Sequence, residues 1–249
     1  MSHKQRIDSN HRGLFVFLID QSGSTSKEFG TTGEKMQDAI ARVVNEILSV
    51  LVTKGNTAER YKCRYDFACL GYGNEVTSAF VATMSNDDIL SAEVLFNAGI
   101  SDYVLSASDG GTDMAKAFSK AKDVISQWIQ KENHMDSFPP MIFNITDGDE
   151  YTGKDPESIV NEIKKMTTQD GEVLVWNIHV SPTANDAVDT ISLLSDDSQL
   201  THPMAKKLFS MSSAIPNSGQ FTEYAGKRAF AYNLNSQQLL KLLAIGTLT

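Results

Sequence analysis

GLFVFLIDQSGS, Gly13 to Ser24, is the stretch whose reading decides the fold. From Gly13 to Ile19 it is continuously apolar and rich in Phe, Val and Ile, and it stops abruptly at a carboxylate, Asp20. A half-exposed strand alternates apolar with polar residues, whereas a run that is apolar at every position predicts a central parallel strand buried on both faces. A small polar loop follows, and residues 34–52 then set Met36, Ile40, Val43, Val44, Ile47, Leu48 and Leu51 at helical spacing. Strand, polar loop and amphipathic helix together are the first unit of an α/β fold.

The same alternation runs outward along the chain. Residues 64–71 read as a second strand, and 76–81 follow the turn residues Gly73 and Asn74 as an antiparallel partner at the sheet edge. Helices are predicted at 87–98, with Ser85 or Asn86 as cap, at 112–130, at 156–168 with Asp155 as N-cap, and at 236–245. Further strands are predicted at 141–146, 172–180 and 229–234, while 181–223 carries no clear pattern. Right-handed crossovers then give a doubly wound, mostly parallel open sheet with one antiparallel edge strand and helices on both faces. There is no internal repeat or Pro/Gly linker, so residues 1–12 read as a polar N-terminal tail and 13–249 as a single domain.

Composition narrows the function. The chain has 249 residues, 31 acidic against 22 basic, a net charge of −9 and 41% hydrophobic residues. That is enough apolar material for a core without staples, and two cysteines exclude a disulfide scaffold. The acidic balance argues against nucleic acid, which needs clustered Lys and Arg, and favours cations as small ligands. The first apolar run, Leu14 to Ile19, is far shorter than the roughly 20 residues that span a bilayer, so no membrane or secretory segment is expected. Cys63 and Cys69 lie in one apolar stretch that reads as extended, held about 20 Å apart at 3.3 Å per residue, and cannot bridge to each other there. Free buried thiols predict a reducing, cytoplasmic setting.

In doubly wound sheets ligands bind outside the carboxyl ends of the strands. Two such ends carry Asp: D-Q-S-G-S, Asp20 to Ser24, and T-D-G-D-E, Thr146 to Glu150. A third loop, S-D-G-G-T-D from Ser108 to Asp113, precedes the long helix. Alternate spacing lets the Asp20 carboxylate and the Ser22 and Ser24 hydroxyls converge, with Gly23 permitting the turn between them. Two glycines before Thr112 allow the third loop to approach, and Asp147 adds a second carboxylate. Oxygen ligands with little charge suit Mg²⁺ or Mn²⁺ better than zinc, which favours His and Cys. Asp109, Asp113 and Asp149 read as residues that tune the local field, and Glu150 as part of an ordinary polar loop. His179 reads as a core or rim residue, and His3, His11, His134 and His202 show no zinc spacing.

In this constellation the sequence resembles the von Willebrand factor A domains, whose metal ion dependent adhesion site (MIDAS) reads D-x-S-x-S, then Thr, then Asp. Asp20, Ser22, Ser24, Thr112 and Asp147 match it in order, each in a strand-end or helix-start context. The resemblance implies that the hydroxyls hold a divalent cation whose open position takes an Asp or Glu from a partner protein. It implies a binding module and no enzyme. It is that of a stand-alone, bacterial-type member, with ATPases, kinases or phosphatases of stress responses as partner classes and the tellurium-resistance type among the possibilities.

The competing class is a hydrolase, phosphatase-like, with Asp20 as nucleophile or metal ligand. The second carboxylate such phosphatases need two residues later is Ser22 here. A G-x-S-x-G elbow and a P-loop string are absent, as is the glycine-rich turn of a nucleotide-binding domain.

Overall fold

The apolar run forms β1 (Gly13–Asp20), buried along its whole length. In the computed structural model, which describes residues 3–31, 33–81, 87–108, 110–131, 134–148 and 154–247, it is the pivot of a seven-stranded sheet. Its parallel neighbours are β2 (Tyr65–Tyr72) and β5 (Met141–Thr146). Beyond β5 lie β6 (Leu174–Val180) and β7 (Phe230–Leu234), also parallel. The far side of β2 carries two short antiparallel pieces, β3 (Val76–Ser78) and β4 (Leu90–Ser91), so the predicted edge strand exists but is built in two parts.

Side-chain alternation divides the core into two layers. Phe15, Phe17 and Ile19 face α1 (Met36–Thr53), α2 (Ala92–Ala98) and α6 (Ser236–Thr247), while Leu14, Val16 and Leu18 face α3 (Met114–Ile129), α4 (Glu157–Ile163) and α5 (Pro203–Met211). Continuous hydrophobicity in β1 is therefore the consequence of cover on both faces. The layer on α6 is tight. A Cβ added at Gly246 would lie 2.5 Å from the Phe143 ring in β5, and Phe143 is fully buried. Gly246→Ala should lower unfolding stability by about 1–3 kcal/mol by overpacking, despite alanine's better helix propensity. A urea titration in which the variant is as stable as the unmodified chain would show that α6 sits farther from β5.

Several predicted boundaries move, three of them for a visible reason. The helix expected from residue 87 begins at Ala92, because Leu90 and Ser91 pair with Phe67 and Asp66; Ser91 is its cap, and Ser85 and Asn86 lie outside the described residues. The long helix starts at Met114 with Asp113 as N-cap, leaving Thr112 in the loop. The helix expected to reach 168 ends at Ile163, since Met166 O and Thr168 N turn back to bond Val173 and Gly171. The unassigned stretch 181–223 contains α5 and a 3-10 segment, Gly219–Tyr224. Residues 3–12 of the polar N-terminal stretch form no helix or strand, yet they lie against the domain. The Asp170 carboxylate accepts the Lys4 and Gln5 amides at 2.9 and 3.0 Å, and the His3 ring contacts Phe138 edge-on.

Both cysteines are free and buried. No helix among the described residues is long and apolar enough to cross a membrane.

Candidate metal centre

The chain leaves β1 toward β2 through α1, and later enters β5 on the other side of β1, so the connections diverge between the carboxyl ends of β1 and β5. That divergence opens a crevice. Ile19 and Ile145 are register partners, which sets Asp20 beside Thr146 at its floor. Asp20 is 1% exposed, and its two oxygens are both engaged: Oδ1 accepts the Ser22 amide at 2.9 Å and Oδ2 accepts the Thr146 hydroxyl at 2.7 Å.

Above this floor, Gly23–Ser26 forms one turn of 3-10 helix, fixed by Thr25 N and Oγ1 on Ser22 O at 3.1 and 2.7 Å. The turn sets alternate hydroxyls side by side. Ser22 Oγ lies 2.9 Å from Ser24 Oγ, and Ser24 Oγ donates to Asp147 Oδ1 at 2.8 Å. The third loop is drawn in by two bonds, Gly23 N to Gly110 O and Ser108 Oγ to Ser22 O, each 3.0 Å. Thr112 is buried and lines the same cleft of about 620 Å³ as Ser22, Ser24 and Asp147. All five predicted residues thus come together, four at the cleft wall and Asp20 beneath it. The expected role of Gly23 is not required by conformation, since a Cβ there would meet Gly110 O at an ordinary 3.6 Å. Gly110, at φ +79, is the glycine the loop needs.

Burial pushes the Asp20 carboxyl up to about 6, and the nearby Asp147 charge pushes the same way. Asp147 is also raised, first by burial, with the Ser24 hydrogen bond and the Lys27 charge opposing. Among the described residues neither carboxylate forms an ion pair within the cleft. Lys27 lines the cleft without pairing to either of them. The Ser22–Ser24 and Ser24–Asp147 separations, 2.9 and 2.8 Å, are those of the hydrogen bonds that join them, and they also match the edge of about 2.9 Å between ligands placed octahedrally at roughly 2.0–2.1 Å from a small hard cation. No group of three or more His, Cys, Asp or Glu side chains able to hold a metal occurs among the described residues, so any ion here would rely on hydroxyls.

Other acids near the site have different duties. Asp113 is buried and caps α3, accepting the Lys116 amide at 2.9 Å; Asp109, Asp149 and Glu150 lie outside the described residues. His179 is a buried rim residue that stacks on Tyr232 and accepts the Asn233 amide through Nδ1 at 3.3 Å. A larger cleft of about 760 Å³ lies at the opposite, amino end of β2, but its buried Asp66 is committed to Arg12 and to the Trp128 indole. Sequence reasoning gave no role at this site to Thr146, Lys27 or Asn74. Only Thr146 carried a signal, as the hydroxyl that closes the second apolar strand.

No protein-family profile matches the chain. Among curated proteins it is 30% identical over 151 residues to a von Willebrand factor A domain-containing protein of Dictyostelium discoideum, covering 59% of this chain and 14% of that protein. A second such protein of the same organism is 29% identical over 143 residues, covering 57% and 12%. The matches take in only a small part of these longer relatives. Among solved structures, proximal thread matrix protein 1 from the mussel byssus, in a form with a zinc-occupied MIDAS motif, superposes with a TM-score of 0.56 at 14% identity over 98% of this chain and 47% of that one. A von Willebrand factor type A structure from Catenulispora acidiphila gives 0.52 at 13% identity over 93% and 41%. The fold is that of the von Willebrand factor A domain.

Proposed function

We propose that this chain is a metal-dependent protein-binding module. Ser22, Ser24 and Thr112 hold a divalent cation, Mg²⁺ or Mn²⁺, with Asp20 and Asp147 close by, and the ion receives an Asp or Glu of a partner protein. The observation that carries this reading is the convergence of the Ser22, Ser24 and Asp147 oxygens, 2.9 and 2.8 Å apart, above a buried Asp20. When bound, the ion supplies one carboxylate-accepting position. Ser22 and Ser24 contribute neutral oxygens, so they leave its charge available, while Asp20 orients the loop through the Ser22 amide. The zinc-occupied motif of the mussel protein supports divalent binding on this fold.

The hydrolase alternative fares worse, because a nucleophile must present an oxygen to its substrate. Asp20 is beneath the cleft with both oxygens engaged. Partners of the ATPase, kinase or phosphatase kind and a cytoplasmic setting, with the buried free thiols in its favour, belong to the same proposal, as does a bacterial-type kinship near the tellurium-resistance type.

Calorimetric titration with Mn²⁺ tests the reading, and no heat of binding would end it. Because the apolar layers on both faces of the sheet do not include the site, chelation should abolish partner binding while leaving the far-ultraviolet circular dichroism native. Cooperative loss of that signal in EDTA would make the ion structural instead.

A further inference from the structure

Building on that metal reading, we infer that Asn74 is a positioning residue for Thr112, and that the turn between β2 and β3 clamps the loop carrying this hydroxyl. Asn74 Oδ1 accepts the Gly111 amide at 2.9 Å, and Gly73 O accepts the Asp113 amide at 3.0 Å. These are the amides immediately before and after Thr112. The backbone on either side of one residue is therefore anchored to a single turn. A third tie comes from the first turn of α3, where Lys116 Nζ donates to Asn74 O at 3.0 Å.

The loop also has a second anchorage. Gly110 O accepts the Gly23 amide, and Ser108 donates to Ser22 O. Ser108 and residues 110–113 thus bridge the edge hairpin and the serine loop, with Thr112 held between the two. The fit against Asn74 is close: a Cβ at Gly110 would lie 2.2 Å from Asn74 Nδ2, and Gly110 is at φ +79. Glycine there meets both demands at once.

Asn74 is itself exposed and belongs to neither core cluster, so its side chain contributes little to the fold. Its role at the site is thereby separable from stability. The geometry of a coordinating hydroxyl is only as good as the shell that supports it, and second-sphere partners commonly alter metal affinity by tenfold or more.

The experiment uses Asn74→Leu, which removes the acceptor, and Asn74→Asp, which keeps it. In the metal-free chain the Gly111 and Asp113 amides should exchange with solvent about tenfold faster in Asn74→Leu and at the original rate in Asn74→Asp. Mn²⁺ affinity should fall about fivefold in Asn74→Leu and be retained or tightened in Asn74→Asp. Thr112→Ala should weaken Mn²⁺ binding in the original chain but add nothing in the Asn74→Leu background. Equal Thr112→Ala penalties in both backgrounds, or unchanged Gly111 exchange, overturn the clamp. If the original chain takes up no Mn²⁺, the metal reading fails instead, and amide exchange alone decides the clamp.

Discussion

In chelator at neutral pH, Asp20→Asn should be more stable than the unmodified chain, and Mn²⁺ should reverse the order. Asp20 is a carboxyl whose folded-state value is raised from 3.8 to about 6, first by burial and then by the charge on Asp147. Between those values the folded state binds more protons than the unfolded state, so unfolding stability falls as pH rises from about 4 to 6 and stays low above. The full penalty is on the order of 3 kcal/mol. Asparagine keeps one acceptor for the Ser22 amide and carries no charge. It also disturbs the Thr146 hydroxyl bond, which reduces the expected gain to about 1–2 kcal/mol. Saturating Mn²⁺ at about 100 times its dissociation constant adds about 2.7 kcal/mol to a chain that binds it only when folded. The variant, lacking the floor carboxylate, gains none of this. Urea titrations at pH 5 and 7.5, with EDTA or Mn²⁺, read all four states. Equal Mn²⁺ stabilisation in both chains, or a variant less stable than the original in EDTA at pH 7.5, would refute the charge argument.

That conflict between site and stability explains why the site was so legible in the sequence. An apolar run has no folding reason to end in a carboxylate, so Asp20 after Ile19 and Asp147 after Thr146 stand out as chemistry. β1 and β5 were readable because cover on both faces leaves no alternation to confuse with a helix over so short a length. What could not be read depends on distant pairing. Leu90 and Ser91 look helical until Phe67 and Asp66 are seen to pair with them. Pro203 to Met211 is an ordinary short helix made secure by the α3 side of the sheet. Asn74 reads as a turn former, and nothing local announces that its amide oxygen reaches Gly111, 37 residues on.

Thr112 should divide metal binding from anion capture. It sits on the third loop, outside the hydrogen-bonded series that joins Asp20 to Ser22, Ser24 and Asp147. Thr112→Ala therefore leaves the Ser22 and Ser24 hydroxyls and both nearby carboxylates in place, and Mn²⁺ affinity should fall only about fivefold. The effect on a captured carboxylate is larger. With a neutral hydroxyl gone, the raised Asp147 carboxylate, already 2.8 Å from Ser24 Oγ, is the nearest oxygen able to shift inward. A negative ligand in place of a neutral one removes much of the positive charge that attracts an incoming acid. Acetate is the simplest probe, read as loss of metal-bound water in proton relaxation of the Mn²⁺-loaded chain. We expect acetate binding to weaken more than tenfold in Thr112→Ala, beyond its loss of metal affinity. Asp147→Asn in the same background, by withdrawing the competing charge, should restore part of it. Acetate bound as tightly by Thr112→Ala as by the unmodified chain would mean that the hydroxyls do not govern the ion's residual charge, and the carboxylate bridge would fail even with the metal in place.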